Sequence, residues 1–405
     1  MSIPPSDQLP AQDWLLWPGT QRVMALLTAD GGAARFVGGA VRDGLLRRPV
    51  KDVDVATPLR PEEVMARLAP AGVKVIPTGI KHGTVTAIAD HRHFEITTLR
   101  HDVETFGRHA HVAFTDDWKG DAARRDFTMN ALYADDEGRI YDYFGGAADA
   151  RAGRVRFIGE ACARIAEDAL RILRFFRFHA SHGRGAPDAE GLAACIEARM
   201  SMQGLSRERV RDELMKLLIT PDPAPTFALM LEHGILEGVV PEERDLAALR
   251  RLVAVERAAQ EEDALRRVVA LLPRAPQVVS AVLRRLKFSN REIKRGALMV
   301  EAMPAVHPKL APREARAALY RLGGEAFTDR LLLACGVKDD PAPLLALARD
   351  WQKPVLPVTG GDLARGGLGQ GPEVGRKLKA LEEAWIASDF TLGRDELLKL
   401  AHKRA

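Results

Sequence analysis

The sequence predicts an α+β protein in which a mixed head is followed only by helices. Up to about residue 144, short runs rich in β-branched residues alternate with helical stretches. From about Glu160 onward, apolar residues recur at helical spacing. The prolines Pro221, Pro223 and Pro225 then mark a boundary near residue 220, because a helix cannot run through them.

The strands of the head are predicted from runs of Val, Ile, Thr and Phe between helical stretches. Each run has the length of an ordinary strand. The runs are Arg35 to Val37, Asp52 to Ala56, Gly83 to Ala89 and His93 to Thr98.

The helices beyond the head are predicted from apolar residues three and four positions apart. One face carries Ala169, Ile172, Leu173 and Phe176, and another carries Val210, Leu214, Leu217 and Leu218. A chain of 405 residues is long enough for two or three domains. We therefore predict a head over 1–144, a helical neck over 145–220 and a helical body and tail over 221–405.

Composition excludes several classes of protein. A hydrophobic content of 46% and a charged content of 28% are typical of folded domains and exclude wholesale disorder. The cysteines Cys162, Cys195 and Cys335 are too far apart for a zinc site or a disulfide framework. No targeting or membrane-spanning segment is recognisable. The sequence thus predicts a cytoplasmic protein with no membrane partner and no evident obligate protein partner.

The net charge of +4 does not identify a partner, because nucleic acids are bound by concentrated basic surfaces. Arginines and lysines are scattered over the predicted helices of the tail. They could line a groove for an RNA backbone, or they could be the solvated outer faces of amphipathic helices. They include Arg250, Arg251, Arg266, Arg267, Arg284, Arg285, Lys287, Arg291, Lys294 and Arg295.

A glycine pair, Gly38 and Gly39, follows the first predicted strand and precedes a helix-compatible segment that contains Arg42. Such a turn lets backbone N–H groups approach a phosphate at a helix N-terminus, with Arg42 as a charge partner one turn later. Taken alone, a glycine pair is more often a plain junction between a strand and a helix.

Asp52 and Asp54 are two residues apart in the second predicted strand, so their carboxylates share a face, about 6.5 to 7 Å apart. Like charges held this close need a cation between them. Carboxylate pairs of this kind hold divalent ions for nucleotidyl displacement, and oxygen ligands favour Mg²⁺. Glu95 could add a third carboxylate from a neighbouring strand, or it could simply face outward on an edge strand.

A second basic cluster begins at Arg124 and Arg125 and continues through Asp126 to Asn130. Arginine forks suit triphosphate oxygens. The side chains of Asp126 and Asn130 suit ribose hydroxyls. The head is therefore interpreted as a metal-dependent site for a nucleoside triphosphate.

Asp168 and Arg171 are three positions apart in a predicted helix, so their side chains are expected to meet on one face. An acceptor beside a donor matches the pairing edges of cytosine and adenine, and leaves guanine and uracil with unpaired polar groups. Arg174 and Arg177 would carry positive charge from this helix toward the phosphates. The alternative is a ladder of ion pairs on a solvated face.

These motifs together carry a resemblance that covers roughly residues 35–218. The order GGAVRDGLL, DVDVAT, RRDFTMNA and EDALRILR resembles the class II transfer-RNA nucleotidyltransferases and their bacterial poly(A) polymerase relatives, within the DNA polymerase β-like superfamily. The resemblance implies a polymerase β-like nucleotidyltransferase head with a mixed sheet, followed by all-helical neck, body and tail domains.

The resemblance also implies roles for individual residues. Asp52 and Asp54 would hold the catalytic metals, with Glu95 at the third acidic position. Triphosphate contacts would come from the glycine turn with Arg42, and nucleotide placement from Arg125 and Asp126. The EDxxR segment with Asp168 and Arg171 would recognise the base.

The implied activity is addition of CCA to the 3′ end of tRNA from CTP and ATP, with release of pyrophosphate. The implied partner is tRNA, through its acceptor arm and 3′ end. Three alternatives stay open: a poly(A) polymerase, a partial enzyme that adds only CC or only A, and a non-catalytic RNA-binding relative. The intact acidic pair argues against the last, because a binding module needs no metal site.

Overall fold

A computed structural model describes residues 3–106, 109–240, 242, 244–365 and 372–402. The chain divides into two compact units, Met1–Pro241 and Glu242–Ala405. The predicted head and the whole predicted neck, together with residues 221–241 of the predicted body, thus belong to one compact unit. The finer division into three domains stays a prediction.

The first unit contains a mixed eight-stranded sheet and a separate two-stranded ribbon. The sheet order is β1-β10-β9-β2-β3-β6-β5-β4, and β7 pairs with β8 in the ribbon. β3 and β6 run parallel, whereas the other paired strands of the described residues are antiparallel. The strands are β1 Asp7–Gln8, β2 Arg35–Val37, β3 Val53–Thr57, β4 Lys74–Gly79, β5 Thr84–Ala89, β6 Arg92–Thr98, β7 Arg100–Phe106, β8 His109–Phe114, β9 Leu132–Ala134 and β10 Arg139–Asp142.

Helices of the first unit flank this sheet and continue the chain beyond it. Short 3₁₀ turns lie at Ala29–Gly31, Ile80–His82, Thr128–Asn130 and Arg199–Gly204. The α-helices are α1 Asp13–Leu16, α2 Pro18–Thr28, α3 Gly39–Leu45, α4 Pro61–Leu68, α5 Trp118–Ala123, α6 Gly146–Ala152, α7 Ala161–Glu167, α8 Leu170–His182, α9 Ala189–Glu197, α10 Arg207–Leu218 and α11 Ala224–Glu232.

In its described residues, the second unit consists of helices joined by turns. Nowhere in the described ranges is a helix both long and apolar enough to cross a membrane. The helices are α12 Leu246–Ala259, α13 Ala264–Leu271, α14 Pro276–Arg285, α15 Asn290–Met299, α16 Pro312–Leu322, α17 Gly324–Ala334, α18 Ala342–Arg349, α19 Gly360–Leu363, α20 Pro372–Ala387 and α21 Arg394–His402.

The predicted α+β class is therefore confirmed, with strands first and helices afterward. All four predicted strands form, with bounds shifted by at most one residue at either end. A helix break lies at the proline cluster, since α10 ends at Leu218 and α11 begins at Ala224, but the two compact units divide further on, after Pro241. The three cysteines form no disulfide with one another, and Cys195 and Cys335 are buried.

Aromatic packing attaches α8 to the segment that carries the second basic cluster. The ring of Phe127 lies 4.9 Å from that of Phe157 and 5.4 Å from that of Phe178. Phe157 in turn stacks on Phe175, with centroids 5.7 Å apart. Since Phe127 and Phe175 are fully buried, this cluster fixes α8 against residues 124–130.

We expect Gly146→Ala to disturb that same segment. A Cβ at Gly146 would lie 2.0 Å from the carbonyl oxygen of Thr128, so the 3₁₀ turn that carries Asn130 must shift. Overpacking of this kind costs roughly 1 to 3 kcal/mol. Urea denaturation should show a lower free energy of unfolding. Gly204→Ala is the matched control, because a Cβ there meets nothing within 4 Å; an equal loss in both variants would contradict the packing argument.

Candidate active site

Three carboxylates meet where β3 and β6 run side by side. The parallel register pairs Asp54 with Glu95, and Asp52 directly precedes β3. Val53 and Val55 are buried, whereas the three acidic side chains are exposed on the other side. The alternation predicted for β3 is thus confirmed. Glu95 lies on a strand that neighbours β3, and this strand is not an edge strand because β5 pairs with its other side. The role of Glu95 as a third acidic ligand stays a prediction.

The clustering of these carboxylates alters the ionisation of Asp54. Although the Asp54 side chain is accessible at the surface, the surrounding protein removes part of its hydration and raises its pKa to about 6; the charges of Glu95 and Asp52 add to this, while Arg125 acts in the opposite direction. A raised carboxyl pKa records unfavourable negative charge, which a bound cation would relieve. Among the described residues, no group of three or more His, Cys, Asp and Glu side chains is arranged to hold a metal by itself.

The glycine turn lies beside the second basic cluster. Gly38 has a φ of 70°, which favours glycine. A Cβ at this position would lie 3.6 Å from the carbonyl oxygen of Asn130 and 3.7 Å from Nη1 of Arg125. A Cβ at Gly39 would lie 3.8 Å from Nη2 of Arg42. The fold therefore brings both glycines close to predicted phosphate-binding arginines.

Arg42 is buried, with 7% of its surface exposed, and its guanidinium already has protein partners. Nε and Nη2 donate to the two carboxylate oxygens of Asp43 at 2.9 and 2.8 Å, and Nη1 donates to Oδ1 of Asn130 at 2.6 Å. Asp43 also lies 3.0 Å from Nε2 of His182 in α8. Contact of Arg42 with a triphosphate stays a prediction.

Arg125 is held in place by two residues that the sequence did not suggest. Its Nη2 donates to Asp121 at 3.1 Å, and its Nε donates to the hydroxyl of Tyr133 at 3.3 Å. Asp121 also accepts from Arg124 at 2.8 Å. Burial alone would raise the pKa of Asp121, but the charges of Arg125 and Arg124 hold this pKa at about 2. Asp121 therefore stays ionised and keeps both arginines aligned.

Asp126 lies at the centre of a hydrogen-bond network between the head and α8. Oδ1 accepts from Nδ2 of Asn130 at 3.0 Å and from its neighbouring amide, and Oδ2 accepts from Nε of Arg174 at 2.7 Å. Burial would raise the pKa of Asp126, but the charge of Arg174 and these hydrogen bonds hold it below its usual range. The contact of Asp126 with a ribose hydroxyl stays a prediction.

Arg174 and Arg177 share a buried carboxylate of α10. Glu213, with 4% of its side chain exposed, accepts from Nε of Arg177 at 2.5 Å and lies 3.7 Å from Nη1 of Arg174. The guanidinium carbon of Arg177 is also 4.0 Å from the centre of the Phe178 ring. Both arginines are therefore positioned by α10, and Arg174 is also bonded to the head through Asp126.

The expected side-chain pairing of Asp168 with Arg171 is wrong. Asp168 ends α7 in an extended conformation, with φ −154° and ψ 104°, so it does not lie in one continuous helix with Arg171. Its carboxylate instead accepts two hydrogen bonds from Arg209 of α10, at 3.2 and 2.5 Å. Arg171 pairs with Glu167 and donates to the carbonyl oxygen of Arg164 at 2.6 Å. Recognition of a base by either residue stays a prediction.

The residues that sequence reasoning missed share a detectable signal. Asp121 follows Trp118 by three positions in α5, and Glu213 follows Val210 by three in α10, so each charge occupies a core-facing position. A charged residue on an apolar helix face indicates a buried ion pair. The identity of the partner could not be predicted, because the arginines come from distant parts of the chain.

Two family models match the chain. The model of the "Poly A polymerase head domain" matches residues 34–156, which include the acidic pair and the second basic cluster. The model described as "Probable RNA and SrmB- binding site of polymerase A" matches residues 187–246, which include α9, α10 and α11.

Curated relatives match over nearly the full chain. The chain is 36% identical to "CCA tRNA nucleotidyltransferase 1, mitochondrial" of Danio rerio over 90% of this chain and 86% of the relative. It is 34% identical to the "CCA-adding enzyme" of Lactococcus lactis subsp. lactis over 91% and 92%, respectively. The fold is similar to the Bacillus stearothermophilus CCA-adding enzyme in complex with CTP, with a TM-score of 0.76, 30% identity, and coverage of 92% of this chain and 94% of that one.

The raised pKa of Asp54 generates a prediction about stability. Asp54 keeps its proton up to about pH 6 in the folded protein, whereas its usual pKa is 3.8. Ionisation therefore costs folded-state stability as the pH rises from about 4 to about 6, and the loss is complete above that range. We expect Asp54→Asn, without divalent ions, to unfold at a higher temperature than the parent at pH 7.5 and to lose that advantage at pH 4.

Thermal denaturation with a chelator present measures this difference. Asp136→Asn is the control, because Asp136 is an exposed aspartate of the same unit outside the carboxylate group. A Tm for Asp54→Asn that stays below that of the parent across the whole pH range would contradict the electrostatic account.

Proposed function

Because this chain belongs to the family of CCA tRNA nucleotidyltransferases, we propose that it adds CCA to the 3′ end of tRNA from CTP and ATP. The observation that carries this proposal is the parallel register that pairs Asp54 with Glu95. Asp52 adds a further negative charge beside Asp54, and Arg125 is close enough for its positive charge to act on the same carboxylate. Negative charge for a cation and positive charge for a triphosphate thus converge in one site. This is the requirement for nucleotidyl transfer.

Enzymes of this family generally depend on divalent metal ions, and the residues present here fit Mg²⁺. Mg²⁺ is commonly bound by one or two carboxylates with the remaining positions filled by water and substrate phosphates. Asp52 and Asp54 would hold it, and the raised pKa of Asp54 supports a cation at this point. When bound, the ion supplies charge neutralisation at the reacting phosphate.

The protein side chains would do the remaining work. In the reaction, the 3′ oxygen of the RNA forms a bond to the α-phosphorus of the nucleotide, and the bond from that phosphorus to the pyrophosphate oxygen breaks. Arg125 would pair with the phosphates, because Asp121 and Tyr133 hold its guanidinium beside Gly38. Arg42 would support the same region through Asn130. Such fixed donors favour the charge distribution of the transition state.

We also propose that Asp168 and Arg171 select the base, although each is oriented by a different neighbour. Arg209 fixes the carboxylate of Asp168, and Glu167 with the Arg164 carbonyl fixes Arg171. An acceptor and a donor held separately but rigidly can still match the edge of cytosine or adenine. Arg174 and Arg177 would contribute positive charge rather than base contacts.

A poly(A) polymerase is the second candidate, favoured by the description of the head model. To separate the two, the purified protein is incubated with Mg²⁺, tRNA lacking its last three nucleotides, and CTP, ATP or both, and the products are sequenced. Extension that stops after CCA supports the first proposal. A long tract of A from ATP alone would establish the second, and a product ending at CC or requiring a CC end would identify a partial enzyme.

The cytoplasmic location expected from the sequence stays a prediction, because some relatives are named as mitochondrial proteins. The tRNA partner and the nucleotide substrates are part of the proposal above. A metal-dependent nucleotidyltransferase with these substrates is consistent with either compartment.

We expect Asp52→Ala to lose at least about a thousandfold in the rate of addition, since several kcal/mol of transition-state stabilisation depend on the cation site. Asp52 is exposed and precedes β3, so the fold should remain intact. Single-turnover addition of CMP to trimmed tRNA measures the rate, and circular dichroism checks the fold. A folded variant with unimpaired turnover would refute the metal assignment.

We expect Asp168→Ala to relax base selection, because removal of the carboxylate removes the acceptor for the amino group of C or A. The loss of one such pair corresponds to about 1 to 3 kcal/mol of discrimination. Competing incorporation of CTP and UTP measures the ratio. Asp212→Ala, an exposed aspartate on α10, serves as the control. Selectivity equal to that of the control would reject the role of Asp168.

A further inference from the structure

A cavity of about 410 Å³ lies between two turns of the second unit. The turn before α12 supplies Arg244 and Asp245 to its wall, and Leu246 at the start of α12 adjoins them. The backbone N–H of Asp245 donates to the carbonyl oxygen of Leu271 at 2.8 Å, which ties the two turns together. The opposite wall consists of Ala270, Leu272, Pro273 and Arg274.

The cavity carries an excess of positive charge. Burial and the nearby charge of Arg251 lower the pKa of Arg274, while Asp245 acts in the opposite direction. A neighbouring arginine lowers the pKa of another arginine because the two positive charges repel each other. The lowered pKa therefore indicates that nearby carboxylates do not fully neutralise the two charges. Within the described parts of the chain, neither Arg251 nor Arg274 forms an ion pair with a carboxylate.

The main partners of the nearby acidic residues are groups other than Arg251 and Arg274, although the charge of Arg244 also acts on Glu242. Oδ1 of Asp245 accepts from the N–H of Ala248 at 2.8 Å and so caps α12. Both carboxylate oxygens of Glu242 accept from Arg285, each at 2.6 Å. Arg274 is itself positioned, since its Nη2 donates to the carbonyl oxygen of Leu333 at 2.7 Å. The positive charge at the cavity is therefore built into the structure.

We propose that this cavity, formed by Arg244 and Arg274 and flanked by Arg251, binds a phosphate of the RNA backbone. The proposal rests on the proposed function, which supplies the RNA. Guanidinium groups match phosphate oxygens in geometry and charge. Among the described residues that line it, none has an aromatic side chain on which a base could stack, so the site favours a backbone phosphate over a free nucleotide.

The salt dependence of RNA binding tests the proposal. Each phosphate contact adds about one unit to the slope of log affinity against log salt. The dissociation constant for tRNA lacking its last three nucleotides is measured over a series of NaCl concentrations for the full-length protein, for Arg251→Gln and for Arg274→Gln. We expect weaker binding in both variants and a slope that is smaller by about one.

Arg349→Gln is the matched control, because it removes one exposed arginine of the same unit that lies 3.3 Å from Glu261. Its slope should equal that of the parent. Arg274→Gln also loses the bond to Leu333, so its thermal stability is measured. Within the described residues the Arg251 side chain forms no hydrogen bond, so Arg251→Gln decides the question if Arg274→Gln is unstable.

Two results would overturn the proposal. One is an unchanged slope in a folded Arg251→Gln protein. The other is a weaker Kd for CTP in the same variant, which would assign the cavity to free nucleotides. A parent protein that binds trimmed tRNA with the expected slope but adds no CCA would refute the proposed function and leave the phosphate site intact.

Discussion

The carboxylate of Asp126 joins the two halves of the site, and the geometry of both halves depends on it. On one side it accepts from Asn130, whose amide oxygen accepts from Arg42. On the other side it accepts from Arg174 of α8. A second link between α3 and α8 runs from Asp43 to His182. The glycine turn and the neck helix are therefore held at a fixed distance by a closed network of hydrogen bonds, supported by the buried aromatic rings around Phe127.

Such a network is costly to bury, because each charge must be removed from water. Its carboxylates all have partners: Asp126 pairs with Arg174, Glu213 with Arg174 and Arg177, and Asp121 with Arg124 and Arg125. What the network contributes is the positioning of the arginine side chains. Hydrophobic packing holds helices together but tolerates small sliding, whereas charged hydrogen bonds fix the direction of a guanidinium. In contrast, Asp54 has like charges beside it and a raised pKa. The fold thus holds its arginines in fixed directions, whereas the negative charges of Asp52, Asp54 and Glu95 repel one another and would be stabilised by a bound cation.

The near-neutral composition conceals this separation. A net charge of +4 over 405 residues is uninformative as an average. In the folded chain, acidic groups gather at the start of β3 and on β6, arginines gather at residues 124–125 and on α8, and a further set of arginines surrounds the cavity near Arg274. Attraction of RNA and nucleotides depends on these local concentrations rather than on the total.

The sequence by itself determined the features that depend on local geometry. Alternation in a strand placed Val53 and Val55 inside and Asp54 outside, and prolines ended α10 before α11. Motif order gave the family, which the relatives confirm. Only the tertiary structure decided which charges pair. The sequence predicted that Asp168 would meet Arg171, but an extended backbone at Asp168 turns its carboxylate to Arg209, 41 residues away. Strand and helix periods specify which face a side chain occupies, whereas the partner on that face comes from a distant segment that only packing brings near.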